Sequence, residues 1–167
     1  MKHIISVFLL LAVLTGCIKE GQTGMDLKVG DTLPDFEVMM SDGSAVSDDV
    51  LRSSVSVVMF FHTSCPDCQQ ALPHMQRVYD EYVNKGVSFV LISREDPQAS
   101  VASFWEKTGL NMPYSAQRDR KVYEKFARER IPRIYICEKG GIIRYIHTDN
   151  PVPSYDDLKY SLESVIR

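Results

Sequence analysis

Two kinds of apolar pattern alternate along this chain, and each predicts a different element. Val55 to Phe61 (VSVVMFF) is a near-continuous apolar run, as expected of a central strand buried on both faces. Val87 to Ser93 (VSFVLIS) repeats that pattern. Between them Leu72, Met75, Val78, Tyr79 and Tyr82 recur at helical spacing as far as Gly86, a suitable C-cap. Ala99 to Thr108 reads as a second helix ending at Gly109. Arg120 to Arg130 reads as a third, with Val122, Tyr123 and Phe126 on one face. Pro34 to Met40 followed by Ser41-Asp42-Gly43-Ser44 predicts a strand and a turn. Ile134 to Cys137 and Ile142 to His147 predict a hairpin around Lys139-Gly140-Gly141. Asn150-Pro151-Val152-Pro153 then breaks the chain before a helix from Ser154 to Ile166. This order favours an α/β fold: a central mixed sheet flanked by helices on both faces, with an N-terminal β extension.

The first residues follow another logic. Lys2 and His3 precede an apolar run from Ile4 to Leu14 broken only by Ser6. Its eleven residues would cover about 16 Å as a helix, half the hydrocarbon thickness, so the run suits a secretory signal and not a span. Leu14-Thr15-Gly16-Cys17 resembles the lipobox of bacterial lipoproteins. That resemblance implies cleavage before Cys17, a diacylglycerol on its sulfur and acylation of its amine, which together make a stable anchor. The expected organisation is a signal over residues 1–16, a lipidated flexible tether over 17–27 and one domain over 28–167. The protein would then sit at the membrane of an oxidising bacterial cell envelope.

Composition narrows the classes. At 167 residues and 44% hydrophobic, the chain can bury a full core, which excludes disorder and collagen-like repeats. Its net charge of −3 argues against nucleic acid as a partner. Four cysteines are too few for a disulfide-stapled miniprotein, so each needs its own account.

Cys65-Pro66-Asp67-Cys68 follows a buried strand and opens a helix. Residues i and i+3 share a helix face, so the two sulfurs can meet in disulfide geometry. Pro66 suits the first helical position, where its missing N–H costs nothing. Unpaired N–H groups and the helix dipole favour a thiolate at Cys65, while Cys68, one turn on, should be more buried. The expected chemistry has Cys65 as nucleophile and Cys68 as resolving thiol, with a redox-active Cys65–Cys68 disulfide as the oxidised state. Half of a zinc site would need a second such pair or paired histidines. A purely structural bridge across so short a loop would remove little chain entropy.

Phe60-Phe61-His62-Thr63-Ser64-Cys65-Pro66-Asp67-Cys68 resembles a thioredoxin-fold active site. Pro73 fits the proline inside the active-site helix of that family, and Ile131-Pro132 fits its cis-proline. With the lipoprotein signal, the N-terminal extension and the insert over 94–119, the chain resembles the TlpA/ResA branch of the AhpC/TSA-Redoxin superfamily. The resemblance implies a monomeric, membrane-tethered thiol-disulfide oxidoreductase without cofactor or metal. It implies disulfide-containing envelope proteins as clients and a DsbD-type membrane electron donor. It also makes Ile131 and Pro132 the place where a client backbone pairs beside Cys65.

Two positions depart from the pattern. Met59 stands where thioredoxins carry a buried aspartate, and Ala71 where ResA-like chains often carry a glutamate. The base for Cys68 is thereby open, with Glu138 as one candidate. Asp67 sets negative charge near Cys65 and favours a reducing pair, which His62 and Arg133 could counter if they face the sulfur. Cys137, in an apolar strand, reads as a buried small hydrophobe. The rival readings are a thiol peroxidase, a copper-binding envelope chaperone using His147, and a non-catalytic binding lipoprotein.

Overall fold

The computed structural model describes residues 26–166, so the expected signal, Cys17 and most of the tether lie outside the described residues. The apolar runs do become the central strands. β3 (Ser56–Phe61) and β4 (Ser88–Ser93) pair in parallel, with Phe61 opposite Ser93. β6 (Arg133–Cys137) pairs antiparallel with β3 on its other side, and β7 (Ile143–His147) pairs antiparallel with β6. The two-residue β5 (Tyr114–Ser115) completes a mixed sheet in the order β5-β4-β3-β6-β7. Every residue of β3 is buried, as its unbroken apolar run requires.

Three helices correspond to the predicted ones: α2 (Pro66–Tyr82), α3 (Gln98–Thr108) and α4 (Tyr155–Ile166). Phe89, opposite Val57 in the sheet, packs on Tyr79 of α2, and Phe61 packs on Trp105 of α3 at 5.1 Å between ring centroids. On the other face Phe60 sits edge-on against Phe126 at 4.8 Å and Tyr123 at 5.3 Å. Phe126 in turn meets Phe36 of the N-terminal segment. That segment makes a separate two-stranded sheet, β1 (Glu37–Met39) and β2 (Ala45–Ser47), followed by the five-residue α1 (Asp48–Arg52). Neither β2 nor α1 is visible as a pattern, because three and five residues are too few to repeat a hydrophobic period.

The predicted helix over Arg120 to Arg130 is a correction. Only a single 3-10 turn, Tyr123–Lys125, forms there, and Arg130 takes a left-handed backbone at φ 73°. Two helical bonds do form, Glu124 N–H to Arg120 O and Ala127 N–H to Tyr123 O, but past them the backbone groups take partners outside the helical pattern, beginning with the Arg128 N–H, which donates to Asp26. Phe126 O accepts from Leu27 N–H and the Tyr135 hydroxyl, Arg128 O from the Arg120 guanidinium, Glu129 O from Arg133 and Arg130 O from the Tyr123 hydroxyl. The apolar face with Tyr123 and Phe126 is real and packs on Phe60, but on irregular backbone.

Residues at the end of the expected tether are also part of the domain. The Asp26 carboxylate accepts the Arg128 N–H at 2.9 Å and pairs with the Arg133 guanidinium at 2.9 Å, while Leu27 N–H donates to Phe126 O. Arg133 is buried, and the Asp26 carboxylate compensates its guanidinium charge. Asp26→Ala is expected to lower the unfolding free energy by about 1–2 kcal/mol, discounted because the carboxylate is partly exposed. A urea midpoint equal to wild type would show that the Tyr135 hydroxyl and Glu129 carbonyl suffice.

Candidate active site

Cys65 caps α2. Its backbone is extended (φ −82°, ψ 116°), Pro66 begins the helix, and Cys65 Sγ accepts the Cys68 N–H at 3.3 Å. The sulfur thus occupies the place that a serine or aspartate oxygen takes at other helix starts. A donor aimed at sulfur stabilises negative charge there, and the helix dipole adds in the same sense. Cys65 is half-buried and its thiol donates to Ile131 O at 3.5 Å, so the cysteine and the Ile131-Pro132 segment meet across 66 residues of sequence. The Ile131–Pro132 peptide is cis, as is Asn150–Pro151.

Cys68 lies one turn behind and is fully buried; both thiols of the pair are unbonded to each other. Burial pushes the Cys68 thiol well above the ordinary cysteine range, and the adjacent Cys65 adds to the shift. The His62 backbone amide and the charge of Arg94 pull the other way. Met59 and Ala71, the two positions that lack the family's carboxylates, are fully buried as well. Glu138 is removed as a base. It follows Cys137, which pairs with Ser56 at the opposite end of β3 from the dithiol, and its carboxylate binds Arg144 at 2.9 Å.

The tuning candidates are tied to other partners. Arg133 donates to the Tyr135 hydroxyl at 2.8 Å and to Glu129 O, besides its pair with Asp26. No described hydrogen bond turns Arg133 toward sulfur. His62 Nδ1 accepts the Ser64 N–H at 3.1 Å, and Nε2 stands 3.3 Å from the Asp96 carboxylate. Asp67 lies in the first helical turn, half-buried.

Asp96 is the residue that sequence reasoning missed. It is 3% exposed and accepts both the Thr63 N–H at 2.7 Å and the Thr63 hydroxyl at 3.1 Å. An acidic residue just past an apolar strand was the available signal. Only the parallel register, which sets Ser93 beside Phe61, shows that the following loop reaches the Cys65 turn. Next to this turn an open groove of about 480 Å³ is lined by Thr63, Ser64, Ser100, Ser103, Phe104 and Lys107, among others.

Cys137 is fully buried, and burial raises its thiol to about 12, which makes it an inert packing residue at neutral pH. His147, the imidazole a copper chaperone would use, is bonded to Ser161 on α4 at 3.0 Å. Its burial lowers it below the ordinary imidazole value of 6.5. The unfolded chain therefore takes up the proton first as pH falls. The stability tied to neutral His147 is complete above 6.5 and is lost as pH drops through the lower folded-state value. Unfolding midpoints from pH 7.5 to 5 should decline in wild type, and His147→Gln should flatten that decline. An identical slope in the variant would assign the effect elsewhere.

The fold and this junction of strand, dithiol and helix define a thioredoxin-like protein. The chain belongs to the AhpC/TSA family, which it matches over residues 29–146. Among curated proteins it is similar to thiol-disulfide oxidoreductase ResA of Geobacillus thermodenitrificans, at 27% identity over 137 residues, covering 82% of this chain and 78% of that one. ResA of Halalkalibacterium halodurans is 24% identical over 121 residues, covering 72% and 69%. Among solved structures, the thioredoxin domain of a thiol-disulfide oxidoreductase from Bacteroides vulgatus superposes with a TM-score of 0.73 at 19% identity, covering 85% of this chain and all of that one. No helix among the described residues is long and apolar enough to cross a membrane.

Proposed function

We propose that this protein is a membrane-anchored thiol-disulfide oxidoreductase that reduces or exchanges disulfides of envelope proteins through Cys65 and Cys68. One observation carries the reading: a half-buried Cys65 Sγ holding the N-cap of α2, with the buried Cys68 thiol one turn behind it. The names of the ResA relatives support it.

The Cys65 thiolate attacks one sulfur of a client disulfide, forming a mixed disulfide and releasing the other client sulfur as a thiolate. Cys68 then gives up its proton and attacks Cys65 Sγ. The Cys65–Cys68 bond forms, the mixed disulfide breaks, and the second client sulfur leaves. The client gains two electrons and two protons, and the protein ends oxidised. The Ile131 carbonyl, which holds the Cys65 thiol before reaction, becomes available to pair with the client backbone. Regeneration needs a dithiol donor, a role suited to a DsbD-type membrane transducer. Cys17 supplies the lipid anchor, and Asp67 near the thiolate favours the reductant direction.

Reduction of insulin disulfides with dithiothreitol as donor tests this. Wild type is expected to accelerate insulin precipitation, and Cys65→Ser to leave it at the uncatalysed rate. Equal rates for the two would overturn the reading. Consumption of peroxide without insulin reduction would move the assignment to the peroxidase alternative.

A further inference from the structure

The turn that delivers Cys65 is held by a carboxylate from another loop. Asp96 Oδ2 accepts the Thr63 N–H, and Oδ1 accepts the Thr63 hydroxyl and faces His62 Nε2. His62 Nδ1 accepts the Ser64 N–H, so in the neutral ring it is Nε2 that carries the proton, directed at Asp96. His62 O accepts the Cys65 N–H at 3.1 Å. The amides of residues 63, 64 and 65 are therefore all engaged by Asp96 or by His62.

We propose that Asp96 is the positioning residue of the dithiol: through Thr63 and His62 it fixes the turn that presents Cys65, touching neither sulfur. The inference rests on Cys65 and Cys68 being the reactive pair. Charge alone predicts the opposite sign from positioning. A carboxylate near Cys65 opposes its thiolate, so removing the charge by Asp96→Asn would speed Cys65 if electrostatics were the whole effect. If Asp96 positions, asparagine must place an NH₂ against either the Thr63 N–H or the His62 Nε2–H. The turn then loosens and Cys65 slows. The other charges near the pair are Asp67 on α2 and Arg94 after β4, and both stay in the variant.

The test is the second-order rate of Cys65 alkylation by iodoacetamide across pH, on the full chain in a Cys68→Ala background. Asp96→Asn is expected to be about tenfold slower at pH 7, with the half-maximal rate moved to higher pH. An unchanged or faster profile overturns the proposal. Nitrogen-15 shifts of His62 in the wild-type chain give a second arm that needs no variant. A ring protonated at Nε2 and bare at Nδ1 is expected, and the opposite tautomer or an even mixture overturns it. Alkylation requires no client, so this inference can fail while insulin reduction persists, and the converse outcome is equally readable.

Discussion

Cys68→Ala is expected to halt turnover after the first step and to leave clients joined to Cys65 by a disulfide. Cys65 is the partly exposed sulfur, and its acceptor role at the helix start needs only the Cys68 amide, which alanine keeps. Attack on a client disulfide should therefore survive the substitution. Resolution cannot, because among the described residues no other thiol is in place: Cys137 is buried on β6, where its neighbour in the pairing is Ser56 at the far end of β3. Non-reducing electrophoresis of the envelope fraction should show higher-mass species that collapse on reduction. They should be absent when Cys65→Ser is added. Adducts that persist in the double variant, or none in the single one, would sink the assignment of roles. Recovered partners would also identify the clients.

The second step should be steeply pH-dependent. Burial holds the Cys68 thiol far above the ordinary cysteine range, so only a small fraction is thiolate at neutral pH. Below such a value the thiolate fraction, and with it the resolution rate, grows about tenfold per pH unit. Rapid mixing of the reduced protein with a disulfide peptide, quenched in acid, separates mixed disulfide from product. The decay of the mixed disulfide should accelerate with that slope between pH 6 and 8. A flat profile would mean that a base already withdraws the proton, which would assign one to this site despite the apolar Met59 and Ala71.

Much of the fold was legible because its signals are local. A strand buried on both faces has to be apolar throughout, as β3 is. A helix that starts at a cysteine and has proline next fixes the direction of its first amides, whatever surrounds it. The region after β5 shows where this logic stops. Val122, Tyr123 and Phe126 keep helical spacing, yet the Phe126 carbonyl accepts from the Leu27 N–H and the Tyr135 hydroxyl, the Arg128 N–H donates to Asp26, and the helix stops after one turn. Tertiary donors outcompeted the i to i+4 pattern.

From its own residues the chain determined where two sulfurs stand on one helical turn, which strands are sealed in the core, and that Pro132 precedes a buried strand. Those properties depend on spacing within a few residues. Tertiary structure alone decided that Asp96 reaches Thr63 and His62, that Arg133 is bound to Asp26, and that Ile131 O meets Cys65. Each of those pairs is separated by a strand crossover or most of the chain. Sheet register and loop path, set by packing as a whole, bring them within hydrogen-bond distance.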